Sequence, residues 1–107
     1  MGLENMNVRD FATYVLNNLG RATLANALNI ADKIDNPQFY TFADFADCIQ
    51  RCAGDEKIIR MLGSVKIAKI ISASYDCVKA YNSDFKYNKR MIVDNYIISL
   101  WRAVNDK

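Results

Sequence analysis

Apolar residues recur along this chain at intervals of three and four, the spacing that puts them on one side of an α-helix. Val8, Phe11, Val15 and Leu19 begin the series behind Asn7, a residue suited to capping a first turn, and Gly20 closes it. Leu24, Leu28 and Ala31 give one face to a second helix from about Arg21 to Ile34. Pro37 stops it, because the residue before a proline is pushed out of helical geometry. Thr41 followed by Asp44 resembles a capping box with Asp in the Glu position, and Tyr40 and Phe45 stand where a hydrophobic staple would pack. The helix they introduce carries Phe45, Ile49 and Cys52 and ends at Gly54.

Asp55 opens a short helix containing Ile58, Ile59 and Leu62, closed by Gly63. Ser64 is the expected cap of a long helix reaching about Asn82, with Ile67, Ile71, Ser74, Val78 and Tyr81 on its stripe and Ala68 and Tyr75 widening it. Ile and Val also favour strands, so a strand over 65–71 competes with this reading; the length and period of the stripe favour helix. A last helix starts between Ser83 and Asn88 and runs to about Val104. Its apolar residues, from Met91 through Tyr96 and Leu100 to Val104, surround the axis. Such a helix is either central in its bundle or pressed against a partner. On the second reading Ile97, Trp101 and Val104 form a self-association surface, and the chain is a homodimer.

A chain of 107 residues suits one domain. Its hydrophobic share of 51%, with one proline and four glycines, leaves little length for loops. The predicted fold is all-α: a compact single-domain bundle of about five to six helices spanning residues 1–107. No apolar run approaches the ~20 residues of a membrane span, and no basic stretch leads into an apolar one at the N-terminus. Three cysteines, an odd number, read as reduced thiols, which points to the cytoplasm.

The chain contains no histidine. That removes the commonest general base, the usual metal ligand and the Ser-His and Cys-His nucleophile pairs. Cys48 and Cys52 lie one turn apart and Cys77 could approach them, but a structural zinc site wants four such ligands, so neither a metal nor a cofactor is expected. Asp44 and Asp47 share a helix side, where first-turn acids ordinarily complement the dipole. Ser83 and Lys86 have the spacing of a serine–lysine enzyme motif, in a chain too short for that fold. Residues 24–34 superficially suggest a helix-turn-helix, but Pro37 would fall inside the recognition helix. The chain reads as a non-enzyme.

Charge narrows the kind of partner. Net charge is +2, yet residues 1–56 hold four basic against eight acidic side chains and residues 57–107 hold ten against four. Lys86, Lys89 and Arg90 fall at i, i+3 and i+4 among Phe85 and Tyr87, and Lys66 and Lys69 lie on a neighbouring element. Tyr40 and Phe42, beside the proline turn, add candidate aromatic anchors. Together these residues predict a small non-catalytic interaction protein (an adaptor, immunity protein or inhibitor, of the kind carried by a phage or mobile element) that docks on and occludes an acidic partner protein. The alternative is a nucleic-acid-binding protein using the same basic half for phosphate contact and base stacking.

Overall fold

Four of the helices begin on a side-chain cap. The computed structural model describes residues 7–34, 40–83 and 89–105. Asn7 Oδ1 accepts from the Asp10 N–H at 2.8 Å and opens α1, Val8–Asn18. A 3-10 turn at Leu19–Arg21 follows, and Thr23 Oγ1 accepts from the Asn26 N–H at 3.2 Å to start α2, Leu24–Ile34. The start therefore lies beyond the expected Arg21, because the tight turn occupies the intervening residues. Thr41 caps α3, Phe42–Ala53, through the Asp44 N–H at 3.3 Å. Asp55 caps α4, Glu56–Leu62, through the Lys57 N–H at 3.1 Å.

The junction into α5, Ser64–Tyr81, differs from the expected serine cap. Gly63 holds the capping position with φ at +89° and no side-chain cap, and Ser64 is already helical. Glycine adopts this backbone conformation at no steric cost, which lets α4 turn directly into α5. Residues 65–71 are helical throughout, so the competing strand is not formed. The last helix, α6, is Lys89–Asn105.

α6 is the axis of the bundle. It packs on α5 along one side and on α2 and the 3-10 turn along another, while α3 bridges α1 and α5. Val93, Tyr96, Ile97 and Leu100 are fully enclosed, and Ala103 and Val104 nearly so. An apolar surface on most sides of this helix is what a central position requires. Each such Ile, Leu or Val contributes about 1.5–3 kcal/mol through removal from water.

A run of aromatic rings connects the helices. Tyr40 stacks on Phe11 at 4.7 Å, Phe11 tilts against Phe45 at 5.8 Å, and Phe45 meets Tyr96 edge-on at 6.2 Å. Phe42 then joins Tyr96 at 5.4 Å and stacks on Tyr81 at 4.6 Å. Tyr40 and Phe45, the expected staple, thus meet on the shared Phe11 ring. On α5 the inward residues are Ile67, Ile70 and Ser74, with Ile71 and Tyr75 outward, a rotation from the expected stripe. Ser74 tolerates the interior because its Oγ–H donates to the Ile70 carbonyl at 2.9 Å and its oxygen lies 2.6 Å from the Tyr96 hydroxyl.

The C-terminal end of α6 is tied down by three donors. Trp101 Nε1–H donates to the Ala22 carbonyl at 2.8 Å, Asn105 Nδ2 to the Leu19 carbonyl at 3.0 Å, and Lys66 Nζ to the Val104 carbonyl at 2.8 Å. A cation there also complements the negative end of the helix dipole. Among the described residues no helix is long and apolar enough to cross a membrane.

Candidate docking surface

Among the described residues, the basic side chains singled out by charge do not form one patch. α5 and α6 run antiparallel, with Lys66 against Val104 at one end and Lys89 over Tyr81 at the other. Fourteen residues of helix separate Arg90 from Val104, about 20 Å at 1.5 Å per residue. Lys66 and Lys69 therefore lie far from Lys89 and Arg90. Phe85, Lys86 and Tyr87 lie outside the described residues.

The cations that are placed have intramolecular work. Arg90 bridges Asp32 of α2 and Asp94 of α6, and those hydrogen bonds, Asp32 first, hold its pKa above the ordinary arginine value. Lys89 Nζ sits 4.8 Å from the centre of the Tyr81 ring, a cation–π contact. Lys66 is half-buried and engaged with Val104. Lys69 is an exposed residue of α5 that lines a groove.

The expected aromatic anchors are core residues. Tyr40 is 8% exposed and Phe42 2%, because each lies in the run of stacked rings described above. Burial, with Asp10 adding to it, pushes the Tyr40 phenol up from its ordinary value. The proposed self-association residues are likewise internal: Ile97 and Val104 are buried, and Trp101 is half-buried with its N–H held by Ala22. Ile97 and Val104 thus pack within the chain, while Trp101 also lines the groove between α5 and α6.

The surface that the sequence reading passed over lies on α4 and α5. Eight large apolar side chains are exposed among the described residues, and five of them, Ile59, Met61, Val65, Ile71 and Tyr75, fall in this stretch. Val65 and Tyr75 are the most open, at 68% and 63%. Beside them an open groove of about 880 Å³ runs between α5 and α6. Ala68, Ser72 and Ala73 floor it from α5, Ser99 and Ala103 from α6, and Lys69, Asp76 and Arg102 stand along it. A sequence signal was present: Val65, Ala68, Ser72 and Tyr75 recur at helical spacing on the side opposite Ile67, Ile70 and Ser74.

Two of the thiols have little nucleophilic character. Burial pushes both Cys48 and Cys77 up, with Asp47 and Asp76 respectively adding to the shift, so the thiol form dominates at neutral pH. Cys52 is buried with its sulfur 3.2 Å from Thr13 Oγ1. Cys77 lines the α5–α6 groove, whereas Cys48 and Cys52 face a separate cleft with Arg9 and Asp55. Asp47 pairs with Arg51 one turn on at 2.9 Å. Comparison of the chain with protein-family models, curated proteins and solved structures finds no match.

Proposed function

We propose that the protein is a small non-catalytic docking module, of adaptor, immunity or inhibitor type, that presents the outer face of α5 and its groove to an acidic segment of a partner protein and occludes it. The observation that carries this reading is the co-location of the two most exposed large apolar side chains, Val65 and Tyr75, with a small-residue groove along which the exposed Arg102 stands, with Lys69 and Asp76 beside it. Exposed apolar side chains gathered on one face characterise interaction sites, and aromatic anchors flanked by cations favour acidic partners. The small residues of the groove allow a partner backbone close approach.

Site-specific photocrosslinking in the native host tests this. A crosslinker at position 75 captures one discrete partner, and capture falls with rising salt. The triple substitution Val65→Glu, Lys69→Glu, Arg102→Glu abolishes it while the melting temperature stays unchanged, since all three residues are exposed. Equal capture from position 24 on α2, or a crosslinked species that is nucleic acid, overturns the assignment.

A further inference from the structure

Ile67, Ile70 and Ser74 point α5 into the core, and half a turn away Val65, Ala68, Ser72 and Asp76 form an exposed row along its outer side. The Tyr75 ring, 63% exposed, stands on one flank of that row, and α6 lies along the other. At the middle of the row is Ser72, a small exposed residue that lets another backbone approach closely.

Opposite charges stand at equal distances from that point. Lys66 reaches Val104 and the two helices run antiparallel, so Arg102 lies alongside Ala68. Arg102 and Asp76 are both exposed and line the same groove. Ala68 and Asp76 are each four residues from Ser72, in opposite directions, about 6 Å along the axis at 1.5 Å per residue. A two-fold axis lying in the plane of this face and crossing α5 at Ser72 exchanges its two ends. It sets Asp76 of one copy against Arg102 of the other, and it keeps Tyr75 on its own flank, over the small Ala68 of the other copy. A parallel pairing would instead bring like charges to the same end.

We infer that a second copy of this chain covers the outer face of α5, the two α5 helices crossing antiparallel at Ser72. The contact is isologous: the Asp76–Arg102 pair and the seating of Tyr75 on Ala68 each occur twice. This rests on the reading of the α5 face as the docking surface, and it makes pairing and docking mutually exclusive.

Sedimentation velocity of the purified full chain, over about 10 μM to 1 mM, tests it. An interface limited to one helix face and its groove is small, and a dissociation constant on the order of 100 μM is expected. Arg102→Asp and Asp76→Arg each raise that constant about tenfold, because the symmetry places a like-charge contact twice. An equimolar mixture of the two variants recovers wild-type association, since every contact then joins opposite charges. The double variant pairs with itself equally well. Melting temperatures stay at the wild-type value, both positions being exposed. A wild-type chain that remains monomeric throughout, single variants that associate as wild type does, or a mixture no better associated than its components would overturn the inference. Partner capture from position 75 in the native host then still stands, whereas loss of that capture with the charge exchange intact removes the docking reading alone.

Discussion

The Ser74–Tyr96 pair fixes the rotation of α5 against α6, and with it the face that α5 turns outward. Its energetics have a built-in asymmetry. Ser74 donates its hydroxyl proton to the Ile70 carbonyl, so the 2.6 Å contact is made by the Tyr96 hydroxyl donating to Ser74 Oγ. Tyr96 is fully buried, so Ser74→Ala strands a phenolic donor in the core, at a cost of about 1–3 kcal/mol. Tyr96→Phe removes that donor and leaves Ser74 its bond to Ile70, at a cost of about 0.5–1.5 kcal/mol. In the double variant no hydroxyl is stranded. Its loss falls short of the summed single losses by on the order of 1 kcal/mol, a coupling typical of contacting residues. Urea denaturation followed by the fluorescence of the one tryptophan, Trp101, and by far-ultraviolet circular dichroism reads all four corners of the cycle. A Tyr96→Phe variant less stable than Ser74→Ala, or strictly additive losses, would refute this assignment of donors.

Three further outcomes follow from particular contacts. Burial raises the Tyr96 phenol well above its ordinary value. The stability this provides is complete below the unfolded pKa near 10 and is lost as pH climbs from there toward the folded value, by about 1.4 kcal/mol per unit. Tyr96→Phe lacks that component, so the gap between wild type and variant narrows in denaturation series above pH 10 and is constant below it. Gly63→Ala costs about 1–3 kcal/mol through backbone strain alone, since an added Cβ there meets nothing within 4 Å, while Gly20→Ala, whose Cβ would make an ordinary contact with Val104, stays near neutral; thermal melting separates the two. Asp32→Asn lowers stability by no more than about 1 kcal/mol, because Arg90 is 41% exposed and keeps Asp94, and 0.5 M salt removes most of the difference in the same melts.

Where folding is decided within four residues, the sequence is a good guide. Asn7, Thr41 and Asp55 each find their backbone N–H two or three positions on, and the helices they open start as expected. Gly63 and Ser64 are adjacent cap residues by type, and only the need for a positive φ between two abutting helices separates them. The rotation of α5 is decided further away. Ile70 and Ile71 are equally apolar neighbours, and the packing of α3 and α6 selects the first, with Tyr96 providing Ser74 a partner 22 residues on. Charge is the least local of all. A count along the chain makes the second half basic, yet Arg90 is neutralised by an aspartate 58 residues upstream, across the bundle.

The same distinction governs which surface is left for a partner. A helix with apolar residues on most sides must be enclosed by something, and α6 is enclosed by α2, α5 and the turn at Leu19–Arg21. Once α6 is interior, Tyr40 and Phe42 follow it inward, because Phe42 packs on Tyr96 and Tyr40 on Phe11. Among the described residues, nothing encloses α5 on its outer side in this way. Val65 and Tyr75 have no inward role once Ile67, Ile70 and Ser74 face the core, and small residues at Ala68 and Ser72 leave the groove beside them unfilled. Exposed in the folded and unfolded chain alike, these two side chains contribute little to stability, and lysine is the better helix former at both positions. Val65→Lys and Tyr75→Lys are therefore neutral or stabilising in the isolated protein while weakening its docking, and a loss of stability in either variant would mean that these residues belong to the core after all.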